Sequence, residues 1–205
     1  MKRTLPKFTD SELLYNLESW IQIANSYYPD VVFEGKRWYA DAQEFTRETA
    51  VRFNLEPYKV AAVVSALSPN NKWYRNKQDA YSVCRAFTEG LGPDDVKVCT
   101  YTSNKIKAFE ILAGETEITA KSPKTHAFAM NVGLLSASHI TIDKWMIRAA
   151  LVHEQEGVIP TVESCTAVQY RRLEKLTAQL AKKHNLKGYE LQAIVWVMIK
   201  KEWDR

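Results

Sequence analysis

The chain has 205 residues, 46% of them apolar and 25% charged. That composition suits one globular domain or two small lobes and excludes a disordered tail, a collagen-like fibre and a disulfide mini-protein. Seven glycines and seven prolines point away from turn-rich β architecture and toward long helices, and a formal net charge of +4 permits nucleic-acid binding without requiring it.

Thr9-Asp10-Ser11-Glu12 is a capping-box pattern, and Leu13, Leu17, Ile21 and Ala24 follow it at helical spacing, so a first helix is expected to end near Asn25. After the turn Tyr27-Tyr28-Pro29-Asp30, Trp38, Ala42, Phe45 and Phe53 mark one face of a second helix that fades at Asn54. Pro57 starts a third. Its run from Val60 to Leu67 is apolar on every side, and three alanines within it favour a buried helix over a strand. Ser68-Pro69-Asn70-Asn71 is a loop; Trp73, Ala80, Val83, Cys84 and Phe87 carry a fourth helix that stops at Gly90. Ser103 is positioned to cap a fifth helix closed by Gly114, and Ser122-Pro123 to open a sixth from Lys124 to about Asn131. His139 to Asp143 reads as extended. A helix through Ile147 and Leu151, a basic one from about Val162 to His184, and an apolar one from Tyr189 to Lys201 complete the chain. The fold class is all-α.

Cys84, Cys99 and Cys165 are odd in number and far apart, so the sequence supports neither a disulfide framework nor a four-thiolate metal site. His126, His139, His153 and His184 show no ligand spacing, and no metal or cofactor is implied. There is no P-loop, dinucleotide fingerprint or nucleophile elbow. Met1-Lys2-Arg3 is basic without an apolar stretch behind it, and the longest apolar runs are too short to span a bilayer, so a cytoplasmic location with no membrane partner is expected.

The chemistry concentrates in Lys121-Ser122-Pro123-Lys124-Thr125 and in Ile142-Asp143-Lys144-Trp145-Met146-Ile147-Arg148. This pair of segments resembles the helix-hairpin-helix DNA glycosylase superfamily, in which a hairpin ending in K-T and a helix precede an extended V-D that enters the next helix. Lys124-Thr125 falls at the K-T, Asp143 at the aspartate nineteen residues later, and Arg148 near the family's arginine. Ser65-Ala66-Leu67-Ser68 with Asn76 resembles the family's L-S-A-Q segment and its downstream asparagine, and Tyr101 to Ala108 resembles its Y-x-x-K-A segment. The hairpin's two glycines are replaced, Lys144 and Trp145 stand where the family has Thr and His, and the iron–sulfur cysteines are absent. With Ser68-Pro69-Asn70-Asn71-Lys72-Trp73, these departures look more like a phage-associated branch linked to thymine hypermodification, one subgroup of which joins amino acids to pyrophosphorylated 5-hydroxymethyluracil in DNA.

The resemblance implies a two-lobed helical fold with a central cleft, a central lobe at 57–137 and a second lobe from 1–56 plus 138–205. It implies double-stranded DNA as partner, a free amino acid or polyamine as co-substrate, and either group transfer on a hypermodified thymine or excision of the base. Both reactions build positive charge on carbon, which a fixed carboxylate in a poorly solvated site stabilises; Asp143 is that carboxylate, or a general base, or in the plainer reading only a helix cap. Lys124 is the second catalytic candidate, either as a neutral amine nucleophile if burial lowers its pKa or as a cation on a phosphate. An extruded base needs aromatic walls and polar edges. Ser68, Asn70, Asn71, Trp73 and Asn76 are candidates for that lining, with Gln192 and Trp196 at i and i+4 on the last helix. Lys105, Lys107, Lys121, Ser122, Thr125 and Arg148 are the expected DNA contacts. A non-catalytic DNA-binding module is the competing reading.

Overall fold

The computed structural model describes residues 8–152 and 162–203, so Met1-Lys2-Arg3 and His153 lie outside the described residues. Those residues are all-α: α1 (Asp10–Tyr27), α2 (Pro29–Phe53), α3 (Pro57–Leu67), α4 (Trp73–Thr88), a 3-10 turn (Pro93–Asp95), α5 (Thr102–Ala113), α6 (Pro123–Leu134), α7 (Lys144–Leu151), α8 (Ala167–Lys183) and α9 (Gly188–Trp203). No helix among them is long and apolar enough to cross a membrane.

Local chemistry accounts for most boundaries. Thr9 and Glu12 close the capping box of α1, with the Thr9 amide donating to Glu12 Oε2 at 2.7 Å. Thr166 and Gln169 form a second box that starts α8 at Ala167, later than the expected Val162. The turn expected at Tyr27–Asp30 shrinks to Tyr28, because Pro29 takes the first position of α2, where its missing N–H costs nothing. α5 starts at Thr102 instead of being capped by Ser103: the Tyr101 carbonyl accepts the amides of Asn104 and Lys105 and so sets the first turn earlier. Ser122 does occupy the N-cap of α6, yet its hydroxyl makes no capping bond. Helix α6 runs three residues beyond Asn131 and stops at Leu135, whose φ of 49° lies in the left-handed region.

Two compact units divide the chain, one formed by Met1–Tyr39 with Ser136–Arg205 and the other by Ala40–Leu135. The second unit therefore takes in the later part of α2 as well as the segment 57–137 expected from sequence, less its last two residues. In it, α3 packs against α4, α5 and α6, and every residue from Val60 to Leu67 is buried. A helix apolar all round has no solvent face to offer, which is why it sits centrally. In the first unit α1, α7, α8 and α9 surround a core that includes Leu17, Trp20, Ile142, Met146, Leu173 and Ile194.

Candidate functional site

Asp143 lies in the first unit, with extended backbone (φ −93°, ψ −177°) just before α7, and two anchors fix its position. The Tyr170 hydroxyl donates to the Ile140 carbonyl at 2.9 Å and accepts the Ile142 amide at 3.2 Å, pinning the chain from the α8 side. Asp143 then caps α7: its Oδ1 accepts the amides of Trp145 and Met146, both at 3.0 Å. The other end of α7 is held through its carbonyls, with Asn16 Nδ2 donating to Ala150 at 3.0 Å and Trp20 Nε1 to Ala149 at 3.2 Å. An eight-residue helix tied at both ends is a rigid mount for a side chain at its start.

The second carboxylate oxygen meets α9. Trp196 Nε1 donates to Asp143 Oδ2 at 3.0 Å, so two sequence candidates 53 residues apart come together. One turn earlier on α9, the buried Gln192 accepts the Tyr39 hydroxyl through Oε1 at 2.7 Å. Burial drives the Tyr39 phenol well above its ordinary pKa, and the charge of Asp143 pushes the same way against a hydrogen bond with Thr141. Tyr170 is raised likewise, by burial first and by the charges of Glu174 and Asp143 among lesser causes.

The same unit holds three partly buried indoles, Trp38, Trp145 and Trp196, two of them with cations near their rings. Trp38 meets Trp196 edge-on, with ring centroids 5.6 Å apart. Lys200 Nζ stands 4.7 Å from the Trp196 ring, and Arg148 Cζ and Lys144 Nζ stand 4.9 and 5.6 Å from Trp145. Arg148 also donates through Nε to the Val162 carbonyl at 3.2 Å.

The remaining candidates belong to the second unit. Lys124 and Lys121 are exposed, on and just before the first turn of α6. Thr125 accepts the Ser65 hydroxyl at its carbonyl, 2.7 Å away. Lys107 is half-buried, while Lys105 is occupied by a 2.9 Å bond to the Val96 carbonyl. Ser68 donates to the Ser65 carbonyl, Asn70 to the Tyr101 hydroxyl, and Asn71 to Asp79 Oδ2 at 2.8 Å. Asn76, 2% exposed, donates to the Val64 carbonyl at 3.1 Å and so braces α4 against α3. Sequence reasoning missed Tyr39, Thr141, Tyr170 and Trp38. Thr141 lies two residues before Asp143, a signal within reach; Tyr39 and Tyr170 act through contacts more than a hundred and through thirty residues away, which spacing does not reveal.

Burial also pushes the Cys84 thiol up to about 12. With Tyr39 and Tyr170 it forms a set of acids held neutral by the fold, each with a folded pKa above its unfolded value of about 8.5 to 10. Their stabilisation is complete below that range and is lost as pH rises through it, because the unfolded chain ionises first. Thermal melting between pH 7 and pH 11 should show a falling midpoint above about pH 9, with a shallower fall in Tyr39→Phe; an equally steep fall in that variant would remove Tyr39 from the set.

Among the described residues no group of His, Cys, Asp and Glu is arranged to hold a metal ion. No curated protein and no solved structure matches the chain. The family model described as Family of unknown function (DUF7178) matches residues 13–203, nearly the whole length, and the chain belongs to that family.

Proposed function

We propose that this protein modifies DNA by acting on an extruded pyrimidine, replacing pyrophosphate on 5-hydroxymethyluracil with an amino acid or amine. The observation that supports the reading is the rigidly mounted carboxylate of Asp143, bonded to the Trp196 indole, over whose ring Lys200 stands. In the transfer step the bond from the C5 methylene to oxygen breaks and pyrophosphate leaves with the electron pair. Positive charge grows on the methylene, where a nearby carboxylate stabilises it. The amine nitrogen then bonds to that carbon, and the carboxylate or solvent takes its surplus proton. Indole faces suit a flipped base, and Lys144 and Lys200 suit phosphate oxygens, whereas Arg148 is held by Glu163 and the Val162 carbonyl. Lys124, being exposed, fits the phosphate role rather than the nucleophile's.

The capping bonds favour a second reading, a DNA-binding module in which Asp143 serves only to start α7. One experiment covers both: incubation with duplexes containing uracil, 5-hydroxymethyluracil or its pyrophosphate, with and without amino acids and polyamines, followed by nucleoside mass spectrometry. A heavier thymidine is the expected product. Abasic sites would replace transfer by base excision, and unchanged nucleosides in every arm would leave the module reading.

A further inference from the structure

The second unit carries a groove of about 780 Å³ along the outer face of α4, lined by Phe45 from α2, by Tyr74, Arg75, Lys77 and Tyr81 from α4, and by Lys97 beyond the 3-10 turn. The ring of Phe45 meets Trp73 edge-on at 6.5 Å, and Lys77 Nζ stands 5.8 Å from one and 5.6 Å from the other. Tyr74 leaves 61% of its surface in solvent, and Arg75 and Lys97 are exposed. The acidic residue in the lining, Asp79, is 4% exposed and accepts the Asn71 side chain and the Cys99 amide, both at 2.8 Å; its charge also acts on Arg75, whose Nε donates to Cys99 Sγ at 2.8 Å and whose guanidinium keeps its remaining N–H groups for an anion. Gln78 adds a neutral hydrogen-bonding amide.

Aromatic faces alternating with cations complement a ligand in which flat rings alternate with anions. From Tyr74 to Ser82 the α4 face is about 12 Å long at ~1.5 Å per residue, about three stacked nucleotides at ~3.4 Å each. A lone phosphate or an acidic peptide would use the cations and leave the Tyr74 ring without a role, whereas base stacking uses both and tolerates any sequence. We propose that this groove binds a short single-stranded segment of nucleic acid, with the exposed Tyr74 stacking on a base, the half-buried Tyr81, which already packs against Phe53 and Arg52, closing the end of the groove, and Arg75, Lys77 and Lys97 contacting phosphates. The site lies within the second unit and needs no contribution from Asp143, so it stands or falls separately from the proposed reaction.

The test is fluorescence anisotropy of the full chain with a labelled ten-residue oligothymidylate across a salt series, with inorganic polyphosphate as competitor. Binding should weaken about tenfold in Tyr74→Ala, the scale of one lost stack. It should weaken a hundredfold or more in the combined variant Tyr74→Ala, Arg75→Ala, Lys97→Ala. Each lost phosphate contact should also flatten the plot of log affinity against log salt by about 0.7. These side chains are exposed, and an unchanged melting temperature confirms that the variants fold. Asp143→Asn should bind the oligonucleotide as the wild type does, whatever becomes of turnover. Wild-type affinity in the combined variant would overturn the inference, as would displacement of the oligonucleotide by polyphosphate at equal charge concentration.

Discussion

Replacement of Gly35 by alanine is expected to destabilise the protein by about 3 kcal/mol. Gly35 lies inside α2, where glycine is about 1 kcal/mol worse than alanine on propensity alone, so an exposed glycine there would gain from the change. Gly35 is buried, and a Cβ on it would lie 2.6 Å from Ile194 Cα, 2.7 Å from Ile194 N and 2.5 Å from Ile194 Cγ1. Two of those atoms are backbone of α9. The close approach of α2 and α9 thus depends on the missing side chain, and relief requires moving one helix. Gly188 provides the comparison: a Cβ there meets Ile140 Cδ1 at 2.6 Å and Cγ1 at 2.7 Å, atoms of a buried side chain and not of a helix backbone. Urea unfolding should place Gly188→Ala between wild type and Gly35→Ala. A Gly35→Ala variant as stable as wild type would mean that α2 and α9 do not approach so closely.

Asp143→Asn is expected to cut turnover by about 10² to 10³ while costing about 1 kcal/mol of stability. Asparagine caps helices about as well as aspartate, so the bonds to the Trp145 and Met146 amides survive. What disappears is the negative charge, and with it one acceptor, since the new amide nitrogen faces the Trp196 N–H. Asp143→Ala removes the cap as well and should cost a further ~1 kcal/mol. A purely capping role would reverse the ranking, with Asn harmless to function and Ala damaging only through stability. The pair of variants thus distinguishes charge from cap on one side chain.

Much of the helical layout is legible in the sequence because its signals are local. The capping box at Thr9 and Glu12 sets α1, the all-apolar run from Val60 to Leu67 identifies the buried α3, and Gly114 ends α5 with a φ of 80°. Boundaries shift where a carbonyl sets the first turn ahead of the expected hydroxyl, as at Tyr101, or where a proline starts a helix early, as at Pro29. The candidate site is less legible. Asp143 stands out before a helix, and Gln192 and Trp196 share a face, but nothing in the spacing says that Trp196 bonds to Asp143 while Gln192 bonds to Tyr39. The first pairing follows from how α9 packs against α7 and the second from how α9 meets α2 at Gly35, both tertiary facts. The α4 groove is hidden for a related reason: the apolar spacing of Ala80, Val83 and Cys84 reports the face that packs, whereas Tyr74, Lys77 and Tyr81 gain meaning only once Phe45 of α2 lies beside them.

The most direct test of the catalytic role given to Asp143 measures two quantities on the same samples: DNA affinity and the single-turnover rate. Wild type and Asp143→Asn are each mixed in excess with a duplex carrying the pyrophosphate of 5-hydroxymethyluracil and an amino acid. The expected result is equal affinity, a heavier thymidine from wild type, and a rate lower by two orders of magnitude or more in the variant. Equal rates for the two proteins, or no product from either, would contradict it and leave Asp143 as the cap of α7.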